Sequence, residues 1–210
     1  MLRNRARVYS CRNEIDLSGF NRALFESPSN AFIIVCHCNH PEKTKMESTE
    51  ALQFTTHLEK IRARTLRVAR CIPPEKIEWT FKPGRFTLGD LLRHLAGTER
   101  YMWAENAGFQ PSRYPGHDRS LADGFDNVFA YVDRLHKESV EIFSALSDDD
   151  LHKKTITPDG ASITLIKWLR LMIEHEIHHR GQIYIYLAML DVPTPPLYGL
   201  TEEQVRERSK

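Results

Sequence analysis

The sequence predicts an all-α protein, a four-helix bundle preceded by an irregular N-terminal extension. Apolar residues recur at helical spacing in four long segments, strand-like alternation is nearly missing, and Pro or Gly residues punctuate the intervals between segments. At 210 residues with 41% hydrophobic and 27% charged residues, the chain is long enough to bury one substantial core.

Residues 1–45 lack either periodicity and concentrate Arg3, Arg5, Arg7 and Arg12 at the start. An Arg-rich, acid-free opening is a mark of targeting peptides, but Glu14 and Asp16 follow closely and no secretory-type apolar stretch is present. The segment reads as an extension to a domain spanning 46–210, either disordered or translated upstream of a natural start at Met46. Within it, Cys36-His37-Cys38-Asn39-His40 holds ligand-type residues packed too closely for the paired spacing of a zinc site.

From Met46 the pattern changes. Ala51, Phe54, Leu58, Ile61, Thr65, Val68 and Ile72 define a first helix that Pro73-Pro74 ends. The next loop, with Pro83-Gly84, offers Trp79 and Phe81 as anchors on the core. Thr87-x-x-Asp90 has the form of a capping box and opens a second helix reaching about Gly108, with Leu88, Leu91, Leu95 and Met102 in its stripe and His94 at the edge. A third helix is expected from near Ser120, with Val128, Val132, Leu135 and Phe143 inward, ending at Ser147-Asp148-Asp149-Asp150. Thr155 to Gly160 reads as a short extended piece with a turn, a candidate hairpin. The fourth helix runs from about Ser162 to Val192, before Pro193, Pro195 and Pro196, and a last short helix is expected around Glu202 to Arg208.

Charge and cysteine usage narrow the function. A net charge of +1 with no concentrated basic face argues against nucleic acid and anionic membrane surfaces. No apolar run approaches the ~20 residues that span a bilayer. Cys11, Cys36, Cys38 and Cys71 form no disulfide framework in a chain this large, so a reducing, cytoplasmic setting is expected.

The chemistry concentrates in His175-Glu176-Ile177-His178-His179-Arg180-Gly181-Gln182. At ~100° per helical residue, His175 and His179 project ~40° apart, in the stripe of Trp168, Met172, Ile183 and Tyr186. Two histidines at i, i+4 on a buried face have the spacing with which a helix chelates a divalent metal, the alternative being a hydrogen-bonded structural pair. A stable site needs a third ligand. His94 is the best candidate, the one histidine within an apolar stripe of another helix. His178 projects to the other side, a supporting or surface residue or else a substitute ligand. Three histidines leave a position open for water or substrate, and imidazole suits Zn²⁺, Ni²⁺, Fe²⁺ or Cu²⁺ without choosing among them.

Residues 175–179 also spell His-Glu-x-x-His, the helix motif of zinc metallopeptidases, with Glu176 as general base and Glu202 as a third ligand. Against it, Arg180 is placed to pair with Glu176, three prolines precede Glu202, and no flanking sheet is predicted.

From about Met46 to Arg208 the chain resembles the DinB superfamily of four-helix-bundle metalloproteins, which includes relatives of thiol-dependent S-transferases and of mycothiol-dependent maleylpyruvate isomerase. The resemblance is carried by Phe86-Thr87-Leu88-Gly89-Asp90-Leu91-Leu92-Arg93-His94-Leu95, the run His175 to Gln182, and Pro195-Pro196-Leu197-Tyr198-Gly199-Leu200-Thr201. It implies His94, His175 and His179 as ligands of a divalent metal such as Zn, Ni or Fe. It also implies thiol S-transfer or hydrolysis, with a low-molecular-weight thiol as a candidate partner; a non-catalytic metal- or ligand-binding bundle is the other class. Glu176 and Tyr101, then Glu105 and Tyr186, lie close in projection to the ligand faces and are the acid–base candidates. The plain alternatives are core aromatics for Tyr101 and Tyr186 and a solvated Glu105.

On the far side of the fourth helix, Ile177, Gly181, Tyr184, Ile185 and Ala188 make a second apolar face. It predicts a homodimer packed through that face, Gly181 permitting close approach at an intrinsic cost of ~1 kcal/mol relative to Ala. The alternative cover is the N-terminal extension or the 73–86 loop.

Overall fold

The computed structural model describes residues 49–210. The extension, the Cys36 to His40 cluster and three of the four cysteines lie outside the described residues; Cys71 is a free thiol.

Helix α1 (Glu50–Ala69) starts at Thr49, whose side chain accepts from the Leu52 amide, and places acidic Glu50 in its first turn and basic Arg67 in its last, both favourable to the helix dipole. Helix α2 (Leu88–Thr98) opens with the expected capping box, Thr87 and Asp90 each accepting the other's amide hydrogen at 2.9 Å. The anticipated run to Gly108 is right in extent but not regular. After Thr98 the chain passes through a π-helical turn, Glu99–Trp103, before resuming as α3 (Ala104–Ala107). The wider turn carries an extra residue and lets Glu99, Trp103 and Ala104 all face inward.

The third long helix, α4 (Phe125–Ser144), begins later than Ser120. A 3₁₀ turn at Arg119–Leu121 comes first, and Gly124, at φ 83°, breaks the path between them. The long helix ends at Ser144, shortly before the expected stop at Ser147, and Ser147 and Asp150 instead form a capping box for a further short helix, α5 (Asp148–His152). The hairpin is present as β1 (Lys154–Ile156) antiparallel to β2 (Ser162–Thr164), with Lys154 opposite Thr164. Helix α6 (Leu165–Met189) carries the histidine run, and α7 (Glu202–Arg208) is exposed throughout.

Helix α1 packs chiefly on α6 and α2 on α4, while α1–α4 and α2–α6 contacts close the bundle. The core has two apolar layers. One joins Val68, Leu88, Leu91, Leu92, Val128, Val132, Ile183 and Leu187; the other joins Phe54, Leu58, Ile61, Trp103, Phe143, Leu165, Leu169 and Met172. Between these sets along every helix lie buried polar residues: Arg62 and Thr65 of α1, Glu99, Ser139 of α4, and Glu176 and Arg180 of α6. Arg62 bridges Glu99 and, at 3.1 Å, Glu176, while Glu99 also accepts from His136 Nδ1 at 2.8 Å. Leaving such a carboxylate buried without its partner is the situation that costs about 3–5 kcal/mol. The layer therefore fixes how the four helices align. Among the described residues no helix is long and apolar enough to cross a membrane.

Candidate metal centre

His94 comes from α2, and His175 and His179 from adjacent turns of α6, where the two helices face each other. Each offers one ring nitrogen, and these atoms lie within 4.8 Å of one another. His175 Nε2 is central, 3.0 Å from His94 Nε2 and 3.1 Å from His179 Nε2. Trp103 packs beside His175 with ring centroids 5.0 Å apart, and Phe86 lies 5.3 Å from His94 and 6.3 Å from His179. The centre thus sits against aromatic walls at the edge of the core.

The outward nitrogens of two rings are engaged. His179 Nδ1 lies 2.7 Å from Gln182 Oε1, an acceptor only, so Nδ1 carries the hydrogen and Nε2 keeps its lone pair. His94 Nδ1 lies 2.8 Å from the Tyr114 hydroxyl, which is itself 3.2 Å from His117 Nδ1. Where the Tyr114 hydroxyl donates to His117 and accepts from His94, the hydrogen of His94 lies at Nδ1 as well. Of the hydrogens on three neutral rings, at most one is then left among the three converging Nε2 atoms.

Their environment keeps the rings neutral. Burial, followed by the neighbouring His179 and His117, holds His94 down to about 4. Burial, then His179 and His94, holds His175 down to about 3. Burial also lowers His179, against the opposing hydrogen bond to Gln182. Three neutral imidazoles converging through Nε2, with the outer nitrogens of His179 and His94 engaged by Gln182 and Tyr114, form a donor set that fits a divalent cation of the zinc type.

The other predicted residues fall elsewhere. Glu176 is buried, and its ion pair is with Arg62 rather than with Arg180, because it faces the polar layer between α1 and α6. Burial pushes its carboxyl up, Arg62 opposing. Tyr101 lies beneath the guanidinium groups of Arg100 and Arg113. Glu105, far from being solvated, is buried and ion-paired with the same two arginines. Tyr186 is a core aromatic, edge-on to Trp79 and Phe81. His178 is exposed, its Nε2 accepting from Gln182 Nε2 at 3.3 Å. Glu202 lies on exposed α7.

Sequence reasoning missed Tyr114, His117, Phe86 and Gln182 as parts of this centre. Gln182 had a readable signal, since it stands three residues after His179 on the same helix. Tyr114 and His117 sit in a Pro- and Gly-containing segment without periodicity.

Comparison with known proteins agrees with this architecture. The pattern of the DinB superfamily matches residues 57–183, more than half of the chain. No curated protein matches the sequence. A DinB-like protein, YjoA of Bacillus subtilis, is similar in fold with a TM-score of 0.58 at 17% identity, over 71% of this chain and 99% of that one. A DinB-like protein of Bacillus cereus gives 0.54 at 18% identity, over 72% and 99%. YfiT of Bacillus subtilis, described as a probable metal-dependent hydrolase with an unusual four-helix bundle topology, gives 0.55 at 17% identity, over 68% and 89%.

Proposed function

Since the chain belongs to the DinB superfamily, we propose that it is a divalent-metal-dependent enzyme of the thiol S-transferase or hydrolase type, with His94, His175 and His179 as the ligands. The observation that carries the reading is the convergence of three neutral imidazoles, two of which have their outer nitrogens engaged by Gln182 and Tyr114. When bound, a divalent cation such as Zn, Ni or Fe supplies Lewis acidity that lowers the pKa of a water or a low-molecular-weight thiol. Gln182 and Tyr114 orient the rings of His179 and His94, and Phe86 and Trp103 restrict water around the centre. Three protein ligands leave a coordination position for the reacting group, the arrangement of catalytic rather than closed structural sites. The peptidase reading is the weaker one, because the carboxylate it needs as general base is ion-paired with Arg62.

The test is conjugation of monochlorobimane with several low-molecular-weight thiols, alongside hydrolysis of activated esters and amides, by metal-loaded protein. Turnover with at least one set, abolished in His175→Ala and in metal-stripped protein, is expected. Turnover undiminished by either treatment would refute the reading.

We also propose a cytoplasmic homodimer formed through α6. Ile177, Ile185 and Met189 are 42%, 57% and 57% exposed, and a Cβ at Gly181 would meet nothing within 4 Å, so the face is apolar, open and approachable. Tyr184 drops out of the predicted face, since it packs on the core and donates its hydroxyl to the Pro195 carbonyl at 3.0 Å. Light scattering at micromolar concentration is expected to give twice the chain mass; a monomer would contradict the proposal.

A further inference from the structure

We propose that Tyr114 is a positioning residue for the metal centre, setting the tautomer and angle of His94 from a loop outside the long helices. The inference rests on reading His94, His175 and His179 as the metal site. Its first support is the contact itself, 2.8 Å from the Tyr114 hydroxyl to His94 Nδ1, with His117 Nδ1 3.2 Å away to take the hydroxyl hydrogen.

The second support is a seat built for the ring. Gly97 follows His94 on α2, and a Cβ there would lie 3.2 Å from Tyr114 Cε2 and 3.5 Å from the Gly116 carbonyl. Glycine leaves the aromatic ring room against the helix backbone that any other residue would take. The third is a clamp. Arg93, adjacent to His94, is fully buried and directs every N–H: Nε to the His117 carbonyl at 3.0 Å, Nη1 to Glu78 and the Ala122 carbonyl at 2.7 and 2.8 Å, and Nη2 to Glu78 and Asp90 at 2.9 and 2.7 Å. The loop bearing Tyr114 is therefore fastened to the same helix turn that bears His94.

The two supported ligands differ in consequence. Gln182 supports His179 from the same helix, whereas Tyr114 supports His94 from a separate segment. Metal affinity is thus linked to docking of residues 111–118. By reciprocity, metal binding must secure that loop by the same factor with which the docked loop strengthens metal binding.

The experiment is calorimetric titration with Zn²⁺, with visible absorption of the Co²⁺-loaded protein and hydrogen exchange over residues 111–118. Tyr114→Phe is expected to weaken Zn²⁺ binding by about 10- to 100-fold and to shift the Co²⁺ bands. His117→Ala should weaken binding less, since the Tyr114 hydroxyl remains. In the wild-type protein Zn²⁺ should slow exchange over the loop; in Tyr114→Phe that protection should be largely lost. Gly97→Ala should weaken binding by displacing the Tyr114 ring, with helical content retained in circular dichroism because alanine favours the helix. This second variant carries the test if Tyr114→Phe fails to fold by circular dichroism. Affinity within about twofold of wild type in the folded variants, with unchanged Co²⁺ bands, overturns the role of Tyr114. Binding absent from the wild-type protein, or surviving His94→Ala, overturns the site itself.

Discussion

At the scale of residues, the chemistry of the centre depends on where hydrogens and charges sit. Gln182 accepts the hydrogen of His179 Nδ1 and the Tyr114 hydroxyl engages His94 Nδ1, so the Nε2 atoms of both rings turn towards His175. A separate buried pair gives a pH-dependent prediction. Burial lowers His136, but the hydrogen bond and charge of Glu99 outweigh it and the net direction is up. For Glu99, burial raises the carboxyl, while Arg62 and His136 bring it below its usual range. A folded-state value above the unfolded ~6.5 means that the pairing contributes fully below that pH and is lost as pH rises through the raised value. Melting of metal-free protein should fall between about pH 6 and pH 8 more steeply in the wild type than in His136→Gln. Equal slopes would contradict the assignment. At this scale the sequence was readable where spacing alone decides: His175 and His179 at i, i+4 fall together as read. Local spacing misled for Glu176, where Arg180 at i+4 loses to Arg62 on another helix. Tyr114 and His117 were unreadable because buried donors of Arg93, a tertiary feature, hold their loop in place.

At the scale of elements, α2 does most to build the site. Its Leu stripe and capping box were plain from sequence, yet two glycines in it have a meaning that only packing discloses. Gly97 makes room for Tyr114, and a Cβ at Gly89 would lie 2.8 Å from Glu78 Oε1 and 3.0 Å from Arg93 Nη1, so Gly89 makes room for the clamp. The π-helical turn was also invisible, since one extra residue shifts an apolar stripe without destroying it. Helix α6 was readable on its histidine face, while on the other face Ile177 and Ile185 are exposed as read and Tyr184 is not part of it. Its exposed apolar side should respond to charge: if the proposed dimer forms through this face, Ile185→Asp gives a monomer in light scattering without loss of helical content. An unchanged mass in that variant would place any association elsewhere.

At the scale of the whole molecule, two apolar layers enclose a buried polar layer, and the histidine centre opens beside it. Because Arg62, Glu99 and Glu176 come from different helices, their pairing sets the alignment that brings His94 opposite His175 and His179. The bundle class was legible because helical periodicity is a local property repeated over long segments. Its short elements, α5 and the turn before α4, were not, because a handful of residues carries too little periodicity. The central claim is that the three histidines jointly hold one divalent cation. Diffraction from crystals grown with Zn²⁺, recorded on both sides of the zinc absorption edge, tests it most directly. A single anomalous peak bonded to Nε2 of His94, His175 and His179 is predicted; no peak there, or a peak bonded to other residues, would contradict it.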